Sequence, residues 1–142
     1  MDLFALFSLL AAATAGASIG SHLLLALLYN PLFKQAHSFS QNLITLRRLY
    51  RLNTVLCLFA GTCAALINNR SAAFMLAILA VSYVFTHTHL LKALLAHCDT
   101  EYVVRKASPF RTLRNLQNAV HLLQISGAIY AIYLLALTEA SL

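Results

Sequence analysis

Long apolar runs and short polar interruptions alternate along this chain, and the apolar run recurs four times. The first extends from Leu3 to Leu28 without a charge, about 26 residues or roughly 39 Å of helix, enough to cross a bilayer with some tilt. Asn30-Pro31 is expected to close it, because proline disfavours helix in the residue before it. The second run, Leu52 to Ile67, is short, so its helix is expected to begin near Ser40 and carry Arg47, Arg48 and Arg51 on turns outside the hydrocarbon. Asn68-Asn69-Arg70-Ser71 predicts a tight polar turn; its Asn-Arg-Ser triplet matches a glycosylation sequon but lies too close to the membrane to serve as one. The third run covers Ala72 to Leu95, after which His97, Cys98, Asp99 and Glu101 open a polar loop. The fourth helix is expected from Ser108-Pro109, a cap residue followed by proline at the first helical position, and it crosses from Leu116 to Leu137. The pattern predicts an all-α polytopic membrane protein. Its single domain is a four-transmembrane-helix bundle over about 3–28, 41–67, 72–96 and 109–137.

Charge sets the expected orientation. Nine of the ten Lys and Arg residues (Lys34, Arg47, Arg48, Arg51, Lys92, Arg105, Lys106, Arg111 and Arg114) lie at one side of the apolar runs, as do all six His; Arg70 alone lies at the other. The positive-inside rule then predicts an N-out/C-out bacterial inner-membrane protein with loops 30–50 and 97–113 in the cytoplasm. Composition agrees: 61% of residues are hydrophobic and 10% charged, against about 25% charged in soluble domains. The formal charge of +6 reads as orientation and contact with anionic lipid, with no nucleic-acid partner. Met-Asp-Leu-Phe at the start has no basic n-region, so the first run is expected to be a retained helix. Cys57 and Cys63 fall on different faces of one helix, too far apart to bond, and Cys98 sits at the cytoplasmic end, where thiols stay reduced.

Polar residues inside the apolar runs fall into stripes. Arg114, Gln117, Asn118, His121 and Gln124 recur at spacings of three and four, so the last helix has a polar face that lipid would penalise. Ser82, Thr86 and His89 share a face of the third helix, with His87 off it near Tyr83. Thr14, Ser18, Ser21 and His22 lie together on the first helix; the opposite face carries Gly16 and Gly20, a GxxxG pair that lets a neighbouring backbone come close. On the second helix Arg51, Thr54, Gly61, Thr62 and Ala65 run roughly in line.

His22, His89 and His121 each fall about 9–12 Å inside the cytoplasmic boundary, by helix rise. Three imidazoles at one depth are the sharpest chemical lead. Two of them on facing helices could hold a b-type haem. A transition metal could use the same set, with His87, His97 or Cys98 as further ligands. The competing reading is that each His, Asn or Gln hydrogen-bonds to the next helix, at about 0.6–2 kcal/mol a bond. The only acids, Asp2, Asp99, Glu101 and Glu139, lie outside the runs, which argues against a di-iron site and an ion-driven pump. No GxSxG elbow or other catalytic set is present.

The run Phe110-Arg111-Thr112-Leu113-Arg114 entering the last helix resembles a pattern in a poorly characterised family of four-helix membrane proteins. That family includes bacterial proteins of unknown function and a human transmembrane protein linked to platinum-drug tolerance. Phe110, Arg111, Leu113 and Leu122 match its pattern, whereas Arg114, Gln117 and His121 stand where His, Ser and Asn would be expected. The small-residue first helix leading to Pro31 and Phe33 also fits. The resemblance implies a four-helix bundle and no particular activity. From the residues, the leading expectation is a non-enzymatic membrane subunit or accessory protein that works through helix packing, lipid contact and other membrane subunits or a homo-oligomer. A haem- or metal-binding redox protein and a small oligomeric transporter are the alternatives.

Overall fold

The computed structural model describes residues 3–32, 39–98 and 108–140, with side chains at 3–21, 23, 44–96 and 112–137. It is all helical over those residues. Helix α1 covers Leu3–Leu32, α2 Phe39–Leu66, α3 Arg70–Phe85, α4 Leu91–Cys98 and α5 Ser108–Ala140. A π-helical turn, Thr86–Leu90, joins α3 to α4 without a break, since the backbone stays right-handed helical at Thr86 and Leu91. Four stretches are long and apolar enough to cross a membrane: Leu3–Ser21, Ile44–Leu66, Arg70–Ala96 and Thr112–Leu137.

The helix starts fall close to expectation: α2 begins just ahead of Ser40 and α5 at Ser108. The end of α1 differs, because the helix continues through Asn30-Pro31 to Leu32. Proline removes only its own N–H bond and crowds one carbonyl of the preceding turn. In the last turn of a long helix that penalty does not propagate.

Each helix packs against two neighbours around a ring, α1 on α2, α2 on α3, α3 on α5 and α5 on α1. Consecutive spans run up and down, so the arginine-bearing start of α2, the end of α4 and the start of α5 share one end of the bundle. The packing rows explain the ring. Along α2 and the residue after it, the buried Leu46, Tyr50, Asn53, Cys57, Ala60, Ala64 and Ile67 alternate steps of four and three, with Cys63 buried beside this row. Gln117, Gln124, Ala128, Ala131 and Leu135 continue the same rhythm on α5, as do Ser8, Ala11, Ala15 and Ser18 on α1. This average step of 3.5 is the knobs-into-holes seam of helices that cross at a shallow angle.

The molecule is apolar outside. Phe74, Val81 and Leu123 are 69%, 70% and 71% exposed, and large aliphatic or aromatic side chains stand outward on every span. Such a surface would drive aggregation in water and is the ordinary surface of a bundle in lipid.

At the end away from Arg47, Arg48 and Arg51, α2 closes by a left-handed residue. Asn68 has φ 59°. Its N–H bonds the Ala65 carbonyl at 3.0 Å, and the Asn69 N–H reaches the Ala64 carbonyl at 2.9 Å. This is a Schellman closure, and Asn accepts the left-handed conformation better than other residues with a side chain. Asn69 then caps α3, its Oδ1 accepting from the Ala72 N–H at 3.0 Å, while its Nδ2 donates to the Leu134 carbonyl on α5, also at 3.0 Å. The nitrogen that a glycan would modify is therefore already engaged in holding the turn against α5.

Candidate functional site

In the half of the bundle nearer the cluster of basic residues, a set of polar seam residues meets at one level. Ser18 and Ser21 come from α1, Tyr50 and Asn53 from α2, Ser82, Tyr83 and Thr86 from α3 and its π turn, and His121 and Gln124 from α5. A lipid bilayer would offer these groups no partner, so helices that carry them would gain by turning them toward one another.

The bonds cross the bundle in both directions. Ser18 Oγ lies 3.3 Å from the Tyr83 hydroxyl, tying α1 to α3 across the diagonal. The Tyr50 hydroxyl lies 3.2 Å from His121 Nδ1, tying α2 to α5 across the other. Ser21 Oγ is 2.9 Å from Asn53 Oδ1 and 2.7 Å from its own helix's Ser18 carbonyl. Gln124 Nε2 donates to Ser82 Oγ at 2.9 Å and to Thr86 Oγ1 at 3.0 Å. At the centre, the rings of Tyr50 and Tyr83 pack 5.9 Å apart at 42°, and the His121 ring stands edge-on to Tyr50. Ser18, Asn53, Tyr83 and Thr86 are 0% exposed, so water does not reach these groups from the surface.

The π turn belongs to this layer. Thr86 opens it, and the Thr86 carbonyl receives the Leu91 N–H five residues on. One extra residue in a helix rotates everything after it relative to the seam, and such turns recur at functional sites. Leu90, Leu91 and Leu94 are buried beyond it, whereas His89 stands exposed beside Phe85, with ring centroids 5.2 Å apart.

The residues singled out from the sequence therefore separate. On α5, Gln117 and Gln124 are buried and His121 is half-buried, but Arg114 and Asn118 are exposed. A seam with a 3.5 step is narrower than the polar stripe, and Asn118 falls beside it. His121 turns inward to Tyr50 while His89 turns outward; His87, two residues before His89, is half-buried, with its Nδ1 buried and without a partner among the described residues. The side chains of His22, His97 and Cys98 lie outside the described residues. Among those described, no three of His, Cys, Asp and Glu gather as metal ligands would. Cys57 and Cys63 are both buried and free.

The glycines separate too. A Cβ at Gly16 or Gly20 would meet nothing within 4 Å, so among the described residues no other helix presses on the GxxxG pair. The close approach inside the bundle is at Gly127 instead, where a Cβ would stand 2.9 Å from Met75 Cε and 3.0 Å from Leu79 Cδ2.

Tyr50, Asn53 and Tyr83 are the members of the layer that the sequence patterns passed over. Tyr50, Asn53 and Cys57 do follow the four-and-three rhythm with Ala60 and Ala64. That rhythm, followed from Leu46, was the signal. Arg51 and the Gly61–Thr62 pair lie off that row, on a more exposed face.

The layer also has one unmet demand. Gln124 Oε1 is buried and has no hydrogen-bond partner among the described residues. An orphaned carbonyl oxygen in such a place costs about 1–3 kcal/mol.

No family model matches the chain, and neither a curated protein nor a solved structure matches it.

Proposed function

We propose that this is an integral membrane protein of the bacterial inner membrane, with its arginine-rich end in the cytoplasm and both termini outside, serving as a non-enzymatic subunit or accessory protein of a membrane complex. The observation that carries this reading is where the polar groups go. Most of those that could do chemistry are paired with one another across the helices, while the outer surface is apolar. A protein built this way acts on its surroundings through its outer faces. On α1 that face holds Gly16 and Gly20, which would let a partner helix approach closely.

The test is to purify the protein from its native membranes in mild detergent, alongside Gly16→Leu and Gly20→Leu. The expected result is a defined set of membrane subunits that copurifies with the parent chain and is lost from both variants, with the thermal unfolding of the variants unchanged. A chain that purifies alone, with variants that behave identically, sinks the reading. Cysteine accessibility from either side of the membrane checks the orientation, with single cysteines at Arg48 and Arg70 expected to label from opposite faces.

A redox role remains the second reading, favoured by one detail. The Tyr50 hydroxyl at His121 Nδ1 is the kind of contact that fixes the ring of a ligating imidazole through its other nitrogen. It predicts a Soret band or stoichiometric metal in the purified protein, lost in His121→Ala; a colourless, metal-free preparation made under cofactor-retaining conditions removes it.

A further inference from the structure

The amide of Gln124 can be oriented from its neighbours. Thr86 Oγ1 has one proton, and it is directed to the Ser82 carbonyl at 2.9 Å. Thr86 Oγ1 must therefore accept from Gln124, which puts the amide nitrogen toward the two hydroxyls. Rotating the amide would let the Ser82 hydroxyl donate to its oxygen, but would also set that oxygen against Thr86 Oγ1, whose one proton goes to the Ser82 carbonyl. The oxygen that lacks a partner is thus a consequence of the hydrogen-bond pattern. Gln124 is 1% exposed, so bulk water cannot serve it from the surface.

Buried polar atoms are nearly always satisfied, by protein or by a bound molecule. Here the need is for a donor. A cation would meet it poorly, because none of the chain's four acids lies in the membrane-spanning stretches to balance a buried positive charge. A neutral hydroxyl fits: it donates to the amide oxygen and adds no charge to an apolar bundle. The π turn that carries Thr86 supplies a second buried atom without a partner, His87 Nδ1, on the same turn.

We propose that the polar layer is a binding site for a neutral hydroxyl-bearing guest, which donates a hydrogen bond to Gln124 Oε1 beside the π turn. The O–H comes either from a structural water or from the hydroxyl of a hydrophobic molecule taken up from the membrane. The inference rests on the geometry around Gln124 and stands whether or not the protein proves to be an accessory subunit.

The test uses the full-length protein, labelled with ¹⁵N-glutamine in detergent, with two variants. Gln124→Met keeps the length and removes the acceptor. Gln124→Glu, protonated in this setting, keeps a carbonyl acceptor and a donor toward Ser82 and Thr86. Magnetisation transfer from water to the Gln124 side-chain amide identifies a water, provided it persists after delipidation. Mass spectrometry of an organic extract identifies a hydroxyl-bearing lipid retained stoichiometrically by the parent protein. Retention of that lipid is expected to fall about tenfold in Gln124→Met, the effect of one buried hydrogen bond, and to be kept in Gln124→Glu. A parent protein that shows neither the water transfer nor a retained hydroxyl compound overturns the proposal, even if Gln124→Met fails to fold. So does a folded Gln124→Met that retains the lipid unchanged.

Discussion

The two halves of the bundle use one seam and two chemistries. Near the arginines the seam holds Ser18, Tyr50, Asn53, Tyr83, Thr86 and Gln124, and the helices are joined by directional bonds. Toward the α2–α3 turn it holds Ala11, Ala60, Ala64, Ala72, Ala128 and Ala131, and the helices are joined by close approach. In lipid both devices would be needed, because there the hydrophobic effect does little to bring helices together. Small side chains gain dispersion contacts by letting backbones near one another, but any small residue does this in several registers. Hydrogen bonds between named atoms are worth less in total and are more selective. The difference teaches that the alanine half makes the bundle tight while the polar half sets which way each helix faces.

The sharpest way to break the tight half is at Gly127. Gly127→Leu would drive a branched side chain into Met75 and Leu79, and overpacking of this kind costs about 1–3 kcal/mol. Thermal unfolding in detergent should show it plainly, whereas Gly16→Leu on the outer face should leave the intrinsic stability of the chain within about 0.5 kcal/mol of the parent. Equal effects at the two glycines would mean that α3 and α5 do not meet where described.

Asn69→Ala should come next, at about 1–2 kcal/mol, since it removes a helix cap and the bond to the Leu134 carbonyl together. Asn69→Asp separates the two: it keeps the cap acceptor and loses the donor to α5, so it should recover part of the loss.

The polar half should yield in smaller steps. Tyr50→Phe removes the hydroxyl from His121 and leaves the ring against Tyr83, an expected loss of about 0.6–1 kcal/mol. If Tyr50 and His121 act only on each other, combining Tyr50→Phe with His121→Phe should cost less than the sum of the two single changes. Strict additivity would show that the diagonal contact between α2 and α5 carries no energy.

Smallest is Asn68→Gly. Glycine adopts a φ of 59° without strain, so the change should be neutral to slightly stabilising, while Asn68→Val should destabilise by about 1–2 kcal/mol. The same denaturation assay separates the pair.

Much of the architecture was legible beforehand. Four apolar runs, Ser108-Pro109 ahead of the last and an Asn-rich turn after the second locate helices that the structure finds nearly where expected. These are properties of a helix taken by itself: length, capping and the cost of a charge in hydrocarbon. The polar stripe of α5 was also visible, and Gln117 and Gln124 are indeed buried. Which members of a stripe face inward was not, and Asn118 and His89 show why. A stripe on one helix is as wide as the helix allows, but the seam is only as wide as two neighbours leave it, and a single π turn rotates His89 out of line. No local pattern announces that turn.

The sequence by itself determined that this chain forms four long apolar helices with their basic ends together, because hydropathy, capping and charge act on each segment independently of the rest. Only the tertiary structure decided that Tyr50 reaches His121, that Gln124 spans to Ser82 and Thr86 with one oxygen left over, and that Gly127 lies tight against Met75 and Leu79 while a Cβ at Gly16 or Gly20 would meet open space. These pairings depend on how helices distant in sequence are rotated and slid against one another, and that is set by the whole seam at once.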